Sequence, residues 1–166
     1  MTDVDKTLET LLQAIEIEKF GYDFYYNIRE FVPDIEGQRL VSYLGKLEID
    51  HINWLEEEYD RQLSKMQDFD EEPKVNLSLI GKEKIFLNQK DLPDLFSDFD
   101  PQKALDFAIQ LERRSIEFYE SNMDISDDDK TRELFKRLAD FERDHIVILN
   151  DNLKSLQERG RWIPPK

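Results

Sequence analysis

His51 and His145 are the two histidines of this chain, and each follows a glutamate by three residues, Glu48 and Glu142. On a helix that step puts a carboxylate and an imidazole one turn apart on one face, able to hold the same ion. A further glutamate precedes each pair by thirty residues, Glu18 ahead of Glu48 and Glu112 ahead of Glu142. One Glu from each of two helices, with Glu-x-x-His from each of two others, is a donor set that holds two metal ions in helical bundles. The charge closes, since four carboxylates offset two divalent cations. A lone Glu-x-x-His is a weak signal. With glutamate at about 11% of this sequence, both histidines carrying one by accident has odds on the order of 1%. The competing reading is a metal-free bundle whose two structural histidines hydrogen-bond to glutamates. Tyr25 and Tyr119 each follow a candidate ligand by seven residues, two turns along the same face. A hydroxyl there could orient a carboxylate or supply an electron, while a core aromatic with any nearby acceptor fits the same spacing.

Four helices are needed to bring these groups together, and the chain supplies them by repetition. Ala14-Ile15-Glu16-Ile17-Glu18-Lys19 is matched by Ala108-Ile109-Gln110-Leu111-Glu112-Arg113, and Phe24-Tyr25 by Phe118-Tyr119. Leu47-Glu48-Ile49-Asp50-His51-Ile52 is matched by Phe141-Glu142-Arg143-Asp144-His145-Ile146, every pair being 94 residues apart. Two copies of one helical hairpin are implied. Leu8, Leu11, Ile15, Glu18, Tyr22 and Tyr25 run in steps of three and four, the stripe of a core-facing helix. Leu40, Leu44, Leu47, His51 and Trp54 mark the second helix, and Leu105, Ile109, Glu112, Ile116 and Tyr119 the third. Leu134, Leu138, Phe141, His145 and Ile148 mark the fourth.

Stop and start signals agree with this pattern. Pro33-Asp34 divides the first two helices, Asp100-Pro101 caps and opens the third, and Ser126 with Asp129 reads as a capping box for the fourth. Gly160 ahead of Pro164-Pro165 ends it. The expected helices are 4–31, 34–65, 101–123 and 127–158, in a single domain built of hairpins 4–65 and 101–158. Glu18 and Glu48 lie fifteen residues either side of Pro33, and Glu112 and Glu142 fifteen either side of Asp127. In antiparallel hairpins each pair then stands at one height, roughly 22 Å from its turn at a rise of about 1.5 Å per residue. All four converge mid-bundle. The connection 66–100 is long enough to run the length of a bundle, with a short helix expected around 79–87. Residues 68–72 and 127–129 read as solvated acidic loops, Asp50 and Asp144 as surface or interface residues. Tyr22, Trp54, Ile116 and Ile148 are expected to seal the site, and 159–166 to form a frayed end or a docking strap.

Composition narrows the function. The chain has 166 residues, 39% of them apolar and 37% charged, with 11% aromatics as core material. That is the profile of a charged helical protein rather than a disordered one. A net charge of −15 argues against a nucleic-acid partner, because nothing is left to neutralise phosphates. With no cysteine, disulfides, cysteine-held zinc, iron–sulfur clusters and thiol catalysis are excluded. No apolar run approaches the roughly 20 residues that span a bilayer, and residues 1–6 lack the basic and apolar regions of a signal peptide. No membrane and a cytoplasmic location are expected.

The chain resembles the rubrerythrin branch of the ferritin-like superfamily. Glu-Lys-Phe-Gly-Tyr-Asp-Phe-Tyr from Glu18 and Glu-Arg-Arg-Ser-Ile-Glu-Phe-Tyr from Glu112 are similar to its first and third helices, and the likeness covers most of the chain outside 66–100. It implies an all-α, ferritin-like four-helix bundle with two iron ions. Glu48 and Glu142 would bridge them, and Glu18, Glu112, His51 and His145 would be terminal ligands. Manganese or zinc suits the same nitrogen and oxygen donors. Two departures stand out. Rubrerythrins usually carry a rubredoxin domain with four cysteines, and this chain has none, so a separate electron-donor protein is expected. Their additional third-helix glutamate is here Ser115, which leaves the metal movement attributed to that ligand without its residue. The expectation is a homodimeric di-iron oxidoreductase acting on peroxide or dioxygen, with Tyr25 and Tyr119 as catalytic candidates. An iron-oxidising storage or delivery protein and a non-enzymatic metal-binding bundle are the alternatives.

Overall fold

Thr2 opens the first helix by a reciprocal cap. Its hydroxyl accepts from the Asp5 N–H at 3.1 Å, and the Asp5 carboxylate accepts from the Thr2 N–H at 2.7 Å. Helix α1 then runs Asp3–Arg29. The computed structural model describes residues 2–67 and 97–166, and three more helices follow in it: α2 Ile35–Gln67, α3 Pro101–Asn122 and α4 Asp129–Arg159. Asp34 accepts from the N–H groups of Glu36 and Gly37 at 2.8 and 3.3 Å. Asp100 caps α3 directly ahead of Pro101. Gly160, at φ 65°, closes α4 in the left-handed conformation that glycine adopts without strain. The fourth cap corrects the expectation: Asp128, not Ser126, accepts from Lys130 and Thr131 at 2.9 and 3.3 Å, while Ser126 accepts from the Asp128 N–H. Aspartate caps as well as serine does, and Asp128 gains cationic partners on α2 that Ser126 would lack. The expected helix at 79–87 and the stretch 68–72 lie outside the described residues.

The helices of each hairpin pack more closely on each other than on the opposite hairpin. One apolar cluster gathers Phe24 and Ile28 at the end of α1, Leu40 and Leu44 at the start of α2, Leu105 and Ala108 at the start of α3, and Leu149 late in α4. A second gathers Leu11 and Ala14 early in α1, Leu55 in α2, Tyr119 late in α3, and Phe135 and Leu138 early in α4. Helices α2 and α3 therefore run in the same direction, and Gln67 and Pro101 lie at opposite ends. Two hairpins so arranged make a ferritin-like four-helix bundle. Among the described residues, no helix is long and apolar enough to cross a membrane.

The core stripes of α2 and α4 pass one residue away from parts of the expected pattern. Buried positions include Leu40, Val41, Leu44, Glu48, His51, Leu55, Glu58 and Gln62 on α2, and Thr131, Phe135, Leu138, Ala139, Glu142, His145, Leu149, Asn152 and Ser155 on α4. Leu47, Trp54, Leu134, Phe141 and Ile148 are only half-buried. Polar side chains hold the centre of each face and apolar ones flank them, so a reading by hydropathy settles on the flank.

A polar network fastens the α3–α4 end. The Thr131 hydroxyl and the Gln62 amide both donate to Glu58 Oε1, the amide at 2.9 Å. Arg61 grips Glu58 at 2.6 and 2.7 Å and reaches Asp128 at 2.5 and 3.1 Å, and Lys65 also pairs with Asp128. Asp128 is therefore an anchor, while Asp127 and Asp129 are exposed as a solvated loop requires. At the other end residues 159–166 form a docked strap. Trp162 is buried, and a methyl group at Gly37 would come within 2.6 Å of its ring. Ser155 donates to the Arg161 carbonyl at 2.7 Å, and the Ile163 N–H donates to Asn152 at 2.8 Å.

Candidate metal centre

Between the two apolar clusters lies a polar belt: Glu18 from α1, Glu48 and His51 from α2, Glu112 from α3, Glu142 and His145 from α4. Each is at most 4% exposed. His51 Nδ1 lies 3.1 Å from Glu18 Oε2, 3.1 Å from Glu142 Oε1 and 3.5 Å from Glu48 Oε2. His145 Nδ1 lies 2.8 Å from Glu142 Oε2, 3.4 Å from Glu48 Oε1 and 3.5 Å from Glu112 Oε1. Glu48 and Glu142 thus each turn one oxygen to either half. The halves are Glu18, Glu48, His51, Glu142 and Glu48, Glu112, Glu142, His145, with the donor atoms of each within 4.8 Å of one another. The two imidazoles stack at 5.4 Å with planes 13° apart.

Whether these residues fit a metal pair can be tested on their unmet hydrogen bonds. Glu48 Oε1, both oxygens of Glu142 and His145 Nδ1 are buried without a hydrogen-bond partner. The 2.8 Å approach of His145 to Glu142 meets the distance of a hydrogen bond but not its angles. Leaving a buried polar group unsatisfied costs about 1–3 kcal/mol, more when it is charged. Two cations, one held by each half, would satisfy all of them.

Without cations the belt holds protons instead. Burial, with the charge of Glu48 next, raises Glu18 from 4.5 to about 8. Burial and then the charges of Glu142 and Glu48 raise Glu112 well above the carboxylate range. Burial and Glu142 push Glu48 upward too, but the adjoining Glu18 carboxyl and the two nearby imidazoles prevail and leave it low. Glu142 also ends low, because His145 and His51 outweigh burial and Glu18. Burial opposes charging of the imidazoles, yet Glu142, Glu18 and Glu48 raise His51 to about 12. The carboxylates around His145 lift it well above its usual range in the same way. Two imidazolium ions therefore balance two carboxylates, and two carboxyl groups stay neutral. Two divalent cations in place of those protons leave the belt neutral again.

The tyrosines reach across the bundle. Tyr25 donates to Glu112 Oε1 and Tyr119 to Glu18 Oε1. Each phenol serves the glutamate of the opposite hairpin, not the one seven residues earlier on its own helix. Helical side chains lean toward their N-terminus, which brings each ring back level with the glutamate it faces. Burial first, then the facing glutamate, raises both phenols well above 10, so they remain donors.

The expected cover is present in part. Trp54 lies 5.5 Å from the His51 ring, and Phe141, read from sequence as core alone, lies 5.6 Å from it. Ile148 packs on one apolar cluster and Ile116 on the other. Tyr22 instead lines a surface cleft. The sequence reading also passed over Gly21, where a Cβ would stand 3.4 Å from the Glu48 carboxyl carbon. Its signal was a glycine inside a helix, a residue that costs roughly 0.5–1 kcal/mol there and so needs a reason. Ser115, its repeat mate, is buried and donates to the Leu111 carbonyl at 3.2 Å.

A ferritin-like bundle with a buried carboxylate–imidazole belt defines a class of metal-binding proteins. Within that class the chain belongs to the rubrerythrin family, whose model matches residues 9–153. An uncharacterised protein of Archaeoglobus fulgidus is 44% identical over 54 residues, which are 32% of this chain and 84% of that one. A hypothetical protein of Pyrococcus furiosus has a similar solved structure, with a TM-score of 0.65 at 21% identity, covering 91% of this chain and 90% of that one. A dodecameric thioferritin, the bacterioferritin-related protein of Bacteroides fragilis, is similar with a TM-score of 0.65 at 17% identity, covering 95% and 89%. At these identities the two structures bear on the fold alone.

Proposed function

We propose that the chain is a di-iron carboxylate oxidoreductase that reduces peroxide or dioxygen with electrons from a separate donor protein, acting as a homodimer. The observation that carries this reading is the division of Glu48 and Glu142 between two halves, each completed by one imidazole and one further glutamate. Glu48 and Glu142 would bridge, with Glu18 and His51 on one ion and Glu112 and His145 on the other. Carboxylate-rich donors suit iron, and manganese or zinc is compatible with the same set. When bound, two ferrous ions supply the two electrons that, with two protons, convert one peroxide to two waters. Tyr25 and Tyr119 hold Glu112 and Glu18 in orientation and keep a proton on each phenol oxygen. Trp54 and Phe141 pack against the His51 ring and help keep water from it.

A second reading is an iron-oxidising storage protein; the similarly folded Bacteroides fragilis protein is a dodecameric thioferritin. Stopped-flow mixing of the Fe(II)-loaded protein with hydrogen peroxide and with dioxygen separates the two. The oxidoreductase reading expects faster oxidation by peroxide, with about one peroxide consumed per iron pair by electron count. Faster reaction with dioxygen, followed by iron leaving as mineral, favours storage. No oxidation by either leaves a binding bundle.

A further inference from the structure

Because the hairpins are copies, the outer groove of each is an internal comparison for the other. Between α1 and α2 the groove is open. A cleft of about 180 Å³ there is lined by Tyr22, Tyr25, Tyr26, Arg29, Gly45 and Lys46, among others. Tyr25 forms its floor and donates to Glu112, so the cleft ends one side chain short of the belt. Between α3 and α4 the matching positions close the groove. Tyr26, Lys46 and Ile49 become Glu120, Asp140 and Arg143. Arg143 donates to Asp140 on α4 at 2.7 Å and to Glu120 on α3, bridging the two helices. Gly45 becomes Ala139 and Val41 becomes Phe135, both fully buried.

Three features of the open groove point the same way. A Cβ on Gly45 would stand 3.4 Å from Tyr25 Cβ and 3.9 Å from the Tyr22 ring, so a side chain there would take up space on the cleft wall beside both tyrosines. The charged residues lining the cleft, Arg29 and Lys46, are both cations on a chain of net charge −15. Tyr26 at 57% and Ile49 at 40% exposure leave its mouth uncovered. A cationic cleft concentrates small anions and turns divalent cations away.

We infer that this cleft admits small monoanions, of the reduced-oxygen kind such as superoxide, to the Glu112–His145 half of the centre. Metal ions load by another route. Rotation of the Tyr25 ring into the space beside Gly45 joins the cleft to Glu112. The inference rests on the metal-centre reading above.

Azide is the probe and Co(II) the metal. Azide association with the Co(II)-loaded protein is followed by stopped-flow absorbance, and Co(II) uptake by the apo protein is followed separately. The triple variant Tyr26→Glu, Lys46→Asp, Ile49→Arg transplants the closed face onto exposed positions. It is expected to slow azide association by on the order of tenfold at low salt and to leave Co(II) uptake unchanged. Lys46→Glu alone should slow azide in the same direction, and Arg143→Ile on the closed face should leave it unaltered. Equal azide rates in wild type, triple variant and Lys46→Glu, or no azide binding at all, overturn the inference while the metal reading stands. Failure of the wild type to take up Co(II) overturns both.

Discussion

Protons and metal ions compete for the same atoms in the belt, since imidazole and carboxylate donors must be deprotonated to ligate. Protons raised onto His51, His145, Glu18 and Glu112 should leave together when two divalent cations enter. About four protons per metal pair should therefore be released near neutral pH, measurable with an indicator dye or by titration calorimetry in buffers of different ionisation heat. Release near zero would exclude these groups as ligands. The same shifts set the pH response of the apo protein. Glu18, raised from 4.5 to about 8, contributes stability that is complete below 4.5 and lost as pH climbs through 8. His51, raised from 6.5 to about 12, acts with the same sign over a higher window. Glu48 and Glu142, both lowered, contribute above 4.5 and lose that contribution as pH falls further. Apo protein should accordingly lose thermal stability from about pH 5 to pH 8, while the loaded form, with metal in place of those protons, gains on it. Melting curves across that window would show the gap widening; a constant gap would refute the proton-for-metal exchange.

At the scale of helices, the strap and the hairpin turn depend on one small residue. A methyl at Gly37 would meet the Trp162 ring and Val32 Cγ1 at 2.6 Å each, and a fused indole cannot swing aside as a flexible chain end would. Gly37→Ala should undock Trp162 and destabilise the bundle by about 1–3 kcal/mol, the usual cost of overpacking, read by urea denaturation with a red shift in tryptophan emission. An unshifted emission and midpoint would mean that the strap tolerates displacement. None of this contact was visible in the sequence, where Gly37 and Trp162 stand 125 positions apart. The four helices were legible because caps and periodicity are local: Asp100-Pro101 and Gly160 act within one turn. The six belt residues were legible because the repeat states them twice. The partners of Tyr25 and Tyr119 were not, since spacing on one helix cannot say what the neighbouring helix presents. Buried Glu58, Gln62 and Thr131 were missed for a related reason. Each satisfies the others across α2 and α4, so nothing along either helix marks them as core.

For the molecule as a whole, the belt is a polar layer between two apolar clusters, and its state should govern the stability of the entire bundle. A ligand bound only by the folded state stabilises it by about 4 kcal/mol at a thousandfold excess over its dissociation constant. For a chain of this size, that corresponds to about 8–16 °C in melting temperature. The two halves share Glu48 and Glu142, whereas Glu18 belongs to one half and Glu112 to the other. Removing a shared residue and removing an unshared one should therefore differ. Glu48→Ala with Glu142→Ala strips two donors from each half and should abolish the difference in melting temperature between apo and loaded protein. Glu18→Ala takes one donor from one half and should preserve part of it. Each variant is compared with its own apo form, so the direct effect of losing a buried carboxylate cancels. Differential scanning calorimetry with and without Fe(II) under anaerobic conditions makes the comparison. An unchanged gap in the double variant would mean that cations stabilise the bundle from elsewhere, the acidic surface behind the net charge of −15 being the first place to look.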